Sequence, residues 1–198
     1  MADENPRDLF QWVEPLSLNK KIREALDPVK CLGEAAQIRI QADRIGAAAR
    51  ELEGGEKQTG SVMPALDGVK GTFGPMEGDY RAICEMLAGL ANKELAANYT
   101  LTMPKGRSYA EAHFWRSRVL ADMVAASSYY KVAAELISLA MKTLNKCSPS
   151  MKAAELTLLL NHASALLADA AKFMGTAGAE LGDDDIRWKN LEKAVEEL

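Results

Sequence analysis

Only two histidines and three cysteines occur in the 198 residues, and no two of these five side chains are close enough in sequence to suggest a shared metal. Zinc sites draw on clustered Cys and His, and di-iron bundles draw on paired Glu-x-x-His motifs. Neither His113 nor His162 has a glutamate three residues before it. H-E-x-x-H, G-x-G-x-x-G and G-x-S-x-G are missing as well. The run Gly55-Glu56-Lys57-Gln58-Thr59-Gly60-Ser61 has the glycine spacing of a phosphate-binding loop, but it lacks the lysine and follows a helical pattern instead of a strand. A Ser-His-Asp triad would have to use one of the two histidines with no local signature. No metal, no cofactor and no enzyme activity is therefore expected from signatures of these kinds.

Other shortages narrow the setting. The cysteines Cys31, Cys84 and Cys147 form no C-x-x-C pair and leave an odd thiol, which fits a reducing, cytoplasmic environment. The opening Met1-Ala2-Asp3-Glu4-Asn5 is acidic, unlike a secretory leader. The most apolar stretch is interrupted by Asn161, His162, Asp169 and Lys172, so no membrane span is expected. There is no basic excess: the net charge is -4, which argues against coating nucleic acid by bulk electrostatics. With 48% hydrophobic and 26% charged residues, the chain has the composition of a globular protein long enough to bury a core.

What is present is helical periodicity. Residues 108–146 and 149–174 read as two long antiparallel helices, a hairpin with only Cys147 and Ser148 between them. Ser108-Tyr109-Ala110-Glu111 is a capping box at the start of the first. Along it, Leu120, Met123, Ser127, Tyr130, Ala134, Ile137, Met141 and Leu144 recur at three- and four-residue steps, and Trp115, Val119, Ala126, Tyr129, Ala133, Leu136 and Ala140 form a second stripe beside them. One neighbouring helix cannot cover both. Ser148 as N-cap and Pro149 as first residue are expected to open the second helix. Its stripe is Leu156, Leu159, Ala163, Leu166, Ala170 and Phe173, and Gly175 and Gly178 are expected to end it.

Upstream, short helices are expected over 6–13 and 17–26. Asp27-Pro28 then restarts a helix that runs to about Glu53 and stops at Gly54-Gly55. Residues 54–78 hold seven of the fourteen glycines together with Pro64 and Pro75, and read as a long loop or intermolecular arm. Helix resumes over 77–98, and the aspartates at 183–185 open a last helix, 183–198, read as an appendage to a single domain, 1–198. The fold class is thus all-α: a helical bundle built on the hairpin, with two further main helices and short terminal ones.

One stretch has an electrostatic character of its own. Met103-Pro104-Lys105-Gly106-Arg107-Ser108 is a basic loop leading into a helix N-terminus, followed by His113, Arg116 and Arg118. Free N–H groups, the helix dipole and converging cations make Lys105, Arg107 and Arg116 candidate anion ligands. Arg39, Arg44 and Arg50 on the first long helix are a second candidate patch. Within the loop, Arg107 and His113 are separated by five residues, with polar Ser108 after the arginine. This pattern resembles the R-x(4-6)-H motif of HEPN-type helical ribonucleases over those seven residues. The resemblance implies Arg107 and His113 as catalytic residues acting on RNA phosphate across a dimer interface, without a metal.

Three functions follow in order. The first is a non-catalytic structural or interaction subunit that associates with itself or with another protein subunit. The second is a small helical subunit that binds nucleic acid or another polyanion through a basic face. The third is the HEPN-like ribonuclease.

Overall fold

The aspartate at position 27 shows how local signals place the elements. Its Oδ1 accepts hydrogen bonds from the backbone of Val29 at 2.9 Å and Lys30 at 3.4 Å, so the helix that follows starts capped, with Pro28 at its first position. The computed structural model describes residues 20–96, 107–181 and 184–198. Among them are six α-helices and no strand: α1 Lys20–Ala25, α2 Pro28–Glu53, α3 Thr59–Ala96, α4 Arg107–Leu144, α5 Ala153–Glu180 and α6 Asp184–Glu196. The protein is an all-α helical bundle. The expected helix at 6–13 and the cap at Ser17 lie outside the described residues, as does Asp183.

The end of α2 is as the glycines indicate. Gly55 has φ of 74°, a left-handed conformation that a side chain would strain, and the backbone N–H of Glu56 reaches back to the carbonyl of Glu51 at 2.9 Å. The chain is then turned for the next helix.

That next helix corrects the expected loop at 54–78. α3 starts at Thr59 and carries Pro64 and Pro75 inside it. Each proline removes one backbone donor, and six glycines weaken the helix further. Packing outweighs these costs. Val62, Leu66, Val69, Phe73 and Tyr80 recur at helical steps and are all buried, so the segment forms a helix to hide this stripe.

The hairpin also departs from its expected bounds. α4 ends at Leu144 and α5 starts only at Ala153, because Ser148 and Pro149 belong to the turn between them: the amide of Ser150 donates to Ser148 Oγ at 3.3 Å, and that of Met151 to Ser148 O at 3.1 Å. Gly175 and Gly178 do not end α5, which continues to Glu180. Its buried stripe is Leu156, Leu160, Ala163, Leu167, Ala170, Met174 and Ala177, rotated from the expected one, and Phe173 is left 37% exposed. Both apolar stripes of α4 are covered within the chain itself. Tyr130, for instance, meets Tyr80 of α3, and Tyr129 meets Phe173 of α5.

Contacts divide the chain into two compact units, where a single domain is the expectation from sequence. One, Leu32–Ala82 with Tyr129–Thr176, is an antiparallel set of four helical segments. The α2–α3 pair is fixed by Tyr80 Oη donating to Glu34 Oε2 at 2.8 Å, and the α3–α4 pair by the edge-on stack of Tyr80 on Tyr130 at 5.1 Å. α2 and α5 approach closely at Gly46, where an added Cβ would lie 3.1 Å from Ser164 Oγ, and that hydroxyl donates to Ala42 O at 2.8 Å. Thr59 Oγ1 closes the end of the set by donating to Pro149 O at 2.8 Å.

The other unit takes the chain up to Cys31, Ile83–Ser128 and Ala177–Leu198. Here α6 is no appendage: Trp188, Leu191 and Ala194 are buried. Arg23 of α1 lies 6.0 Å from the Trp188 ring centroid, and Arg187 pairs with Asp122 of α4. No helix among the described residues is long and apolar enough to cross a membrane.

Candidate functional site

The basic entrance to α4 is only partly within view. Lys105 lies outside the described residues, and Arg107 is the first residue of α4, with its side chain also outside them. Arg116 is 5% exposed, and its Nη2 donates to the carbonyl of Glu94 at 2.7 Å. This guanidinium secures the end of α3 to α4. A solvent anion would have to displace a buried, charge-assisted bond to reach it.

His113 stands six residues after Arg107 on the same helix, about 9 Å further along the axis. Its pKa is lowered, first by burial and then by the positive charge of Arg116, against a raising backbone hydrogen bond. The imidazole is therefore held toward its neutral form, able to accept a proton at one nitrogen. Next to it, Phe114 is half exposed, packs edge-on to Trp115 at 5.0 Å and carries the Arg118 guanidinium 5.5 Å from its ring centroid. That pair presents a flat apolar ring with an attached cation to solvent.

On α2 the three arginines do not form one row. Arg39 and Arg50 fall within about 20° of each other around the helix, whereas Arg44 is about 140° from Arg39. Asp43 sits in the first row and pairs with Arg39 at 3.3 Å, which dilutes its positive charge. Arg44 instead leans on Gln41 Oε1 at 3.4 Å and lines a cleft of about 450 Å³ between α2 and α3, together with Ile45, Pro64, Leu66 and Gly68. Among the described residues no group of three or more His, Cys, Asp or Glu could hold a metal ion.

The feature that reasoning from sequence missed is the outer face of α3. Gly68, Gly71, Gly74, Pro75, Gly78 and Ala82 are all exposed. Within this set 71, 74, 75, 78 and 82, joined by Asp67, occupy a band about 100° wide around the helix. A Cβ built on Gly68, Gly71, Gly74 or Gly78 would meet nothing within 4 Å. Internal packing does not call for glycine at any of them, though each costs helix stability of about 1 kcal/mol relative to alanine. The signal was available in sequence as the seven-residue recurrence of Gly71 and Gly78 opposite the stripe of Val62, Leu66, Val69 and Phe73.

No family model, no curated protein and no solved structure matches the chain.

Proposed function

We propose that this protein is a non-catalytic helical interaction subunit that associates with itself or docks into a larger assembly. The supporting observation is the exposed α3 face, where glycines lower helix stability without serving the chain's own packing. Small residues on a helix surface let another backbone approach closely, and that gain is realised only in a complex. Exposed Leu32 and Ile40 on α2, and Leu158 on α5, add apolar surface in the same compact unit. Light scattering of the purified protein from about 1 µM to 1 mM is expected to give a mass that climbs above 21.5 kDa, or a stable co-purifying partner. A mass fixed at 21.5 kDa with nothing co-purifying would contradict the reading.

A second reading, a helical subunit that rests on nucleic acid or another polyanion, draws on the exposed Phe114 with Arg118 over its ring, since a base can stack where a cation already neutralises phosphate. Lys105, Arg107, Arg39, Arg44 and Arg50 would supply further charge in that reading. The HEPN-like ribonuclease is its catalytic form and would use Arg107 and the neutral His113.

A further inference from the structure

We propose that the glycine face of α3 pairs with the same face of a second copy of this chain, antiparallel, about a two-fold axis at Gly74. The inference rests on the reading of the chain as a self-associating subunit and names its partner and contact. What selects a second copy is the charge row along one edge of the face. Lys70, Glu77 and Arg81 lie on one flank of the helix and Asp67 at the adjoining margin of the glycine band, in the chain order Asp67, Lys70, Glu77, Arg81: minus, plus, minus, plus. Within one chain they form two surface pairs, Lys70 with Asp67 at 3.6 Å and Arg81 with Glu77 at 3.1 Å, in which Asp67 and Arg81 are exposed and Lys70 and Glu77 half-buried.

A two-fold axis perpendicular to two antiparallel helices brings like flanks together and sets position 74 - n of one helix beside 74 + n of the other. Asp67 then faces Arg81 of the second copy, and Lys70 faces the neighbourhood of Glu77. With the symmetric repeats this makes four opposite-charge contacts. A parallel pair would instead set this flank against the other edge, where Gly68, Thr72 and Asp79 offer no matching row. Between the charged edges the contact is made by Gly71, Gly74, Pro75 and Gly78, which let the helix axes come to the short end of the usual spacing, about 8 Å. The outward surface carries no bulk there that would hold them apart.

Exposed ion pairs orient a contact more than they strengthen it, and a helix pair of this length buries far less than the roughly 1,600 Å² of a standard stable interface. The dimer is accordingly weak and concentration-dependent.

The test is sedimentation equilibrium on the full chain across a concentration series, with three variants and one mixture. Asp67→Arg alone sets Arg81 against a new arginine, and Arg81→Asp alone sets Asp67 against a new aspartate. Each is expected to dimerise about tenfold more weakly than the native chain. Mixed in equal amounts, the two variants can form a heterodimer in which both contacts of this type are again opposite in sign, so association is expected to return to within about threefold of native. Gly71→Leu is expected to abolish dimerisation while helicity and melting temperature hold or rise, because its Cβ meets nothing in its own chain. A dimer of unchanged strength in all the variants overturns the α3 pairing but leaves self-association standing through another face. Native protein of constant monomer mass at every concentration overturns both.

Discussion

Tyr80→Ala is expected to destabilise the protein by about 3–5 kcal/mol in urea unfolding, the range for emptying a buried aromatic site. Tyr80 is only 2% exposed and joins three helices of its unit. It belongs to α3, stacks edge-on against Tyr130 of α4 with an interplanar angle of 83°, and donates its hydroxyl to Glu34 of α2. Its neighbours Gly78, Asp79 and Arg81 point outward, so the position also reports the rotation of α3. Tyr80→Phe keeps the ring and removes only the hydroxyl, and should cost about 1–2 kcal/mol. Equal losses in the two variants would show that the ring contributes nothing. A loss below about 1 kcal/mol for alanine would mean that α3 does not present this face inward.

The second large effect is expected at Asp122 and Arg187, which hold α6 on α4. The side chains are 14% and 22% exposed, and the other oxygen of Asp122, Oδ2, is buried with no hydrogen-bond partner among the described residues. Burial raises the Asp122 pKa, while the hydrogen bond and charge of Arg187, and the charge of Arg118, pull it back. Because the folded value lies above the ordinary one, the folded state binds more protons in the window between the two values. The group's contribution is fullest below that window and is lost as pH rises through the folded pKa. Arg187→Ala removes the strongest opposing influence and leaves a carboxylate in a site that disfavours charge. The expected loss is about 2–4 kcal/mol at pH 7, somewhat below a fully buried pair because both groups touch water. Near pH 4 the loss should be smaller, since a carboxyl whose pKa is raised above the ordinary value takes up a proton there. Urea melts of native and variant protein at the two pH values check this, and a loss independent of pH would show that Asp122 is not left charged. Asp122→Asn should be milder, because it removes the charge together with its desolvation.

The sequence disclosed the structure unevenly. The start of α2 at Pro28 and its end at Gly54-Gly55 were legible, because an aspartate cap and a left-handed glycine act over three or four residues. The two stripes of α4 were legible as well, and so was their need for more than one neighbour: Tyr130 meets Tyr80 of α3 and Tyr129 meets Phe173 of α5. The failure at α3 has a definite cause. Glycine and proline report local backbone preference, and there that preference was set against a buried stripe with steps of four and three residues. Tertiary burial outweighed it. At Ser148 and Pro149 the reverse held, since a good helix start was used to build a turn.

The candidate site was hidden for a related reason. Arg116 reads as a surface cation, and only the position of the Glu94 carbonyl makes it an interior tie. The charges at Asp67, Lys70, Glu77 and Arg81 acquire a common edge only once their segment is known to be one helix. Both the buried stripe and the charged edge depend on the helix over the glycine-rich stretch.

Hydrogen exchange of the backbone amides between Thr59 and Ala82 tests it most directly. Protection at Val62, Leu66, Val69 and Phe73 is expected to be comparable with that at the buried positions of α5, in dilute protein as well as concentrated, because the helix is held from its inner side. Exchange of those amides at the rate of an unstructured chain, with α5 still protected, would contradict it.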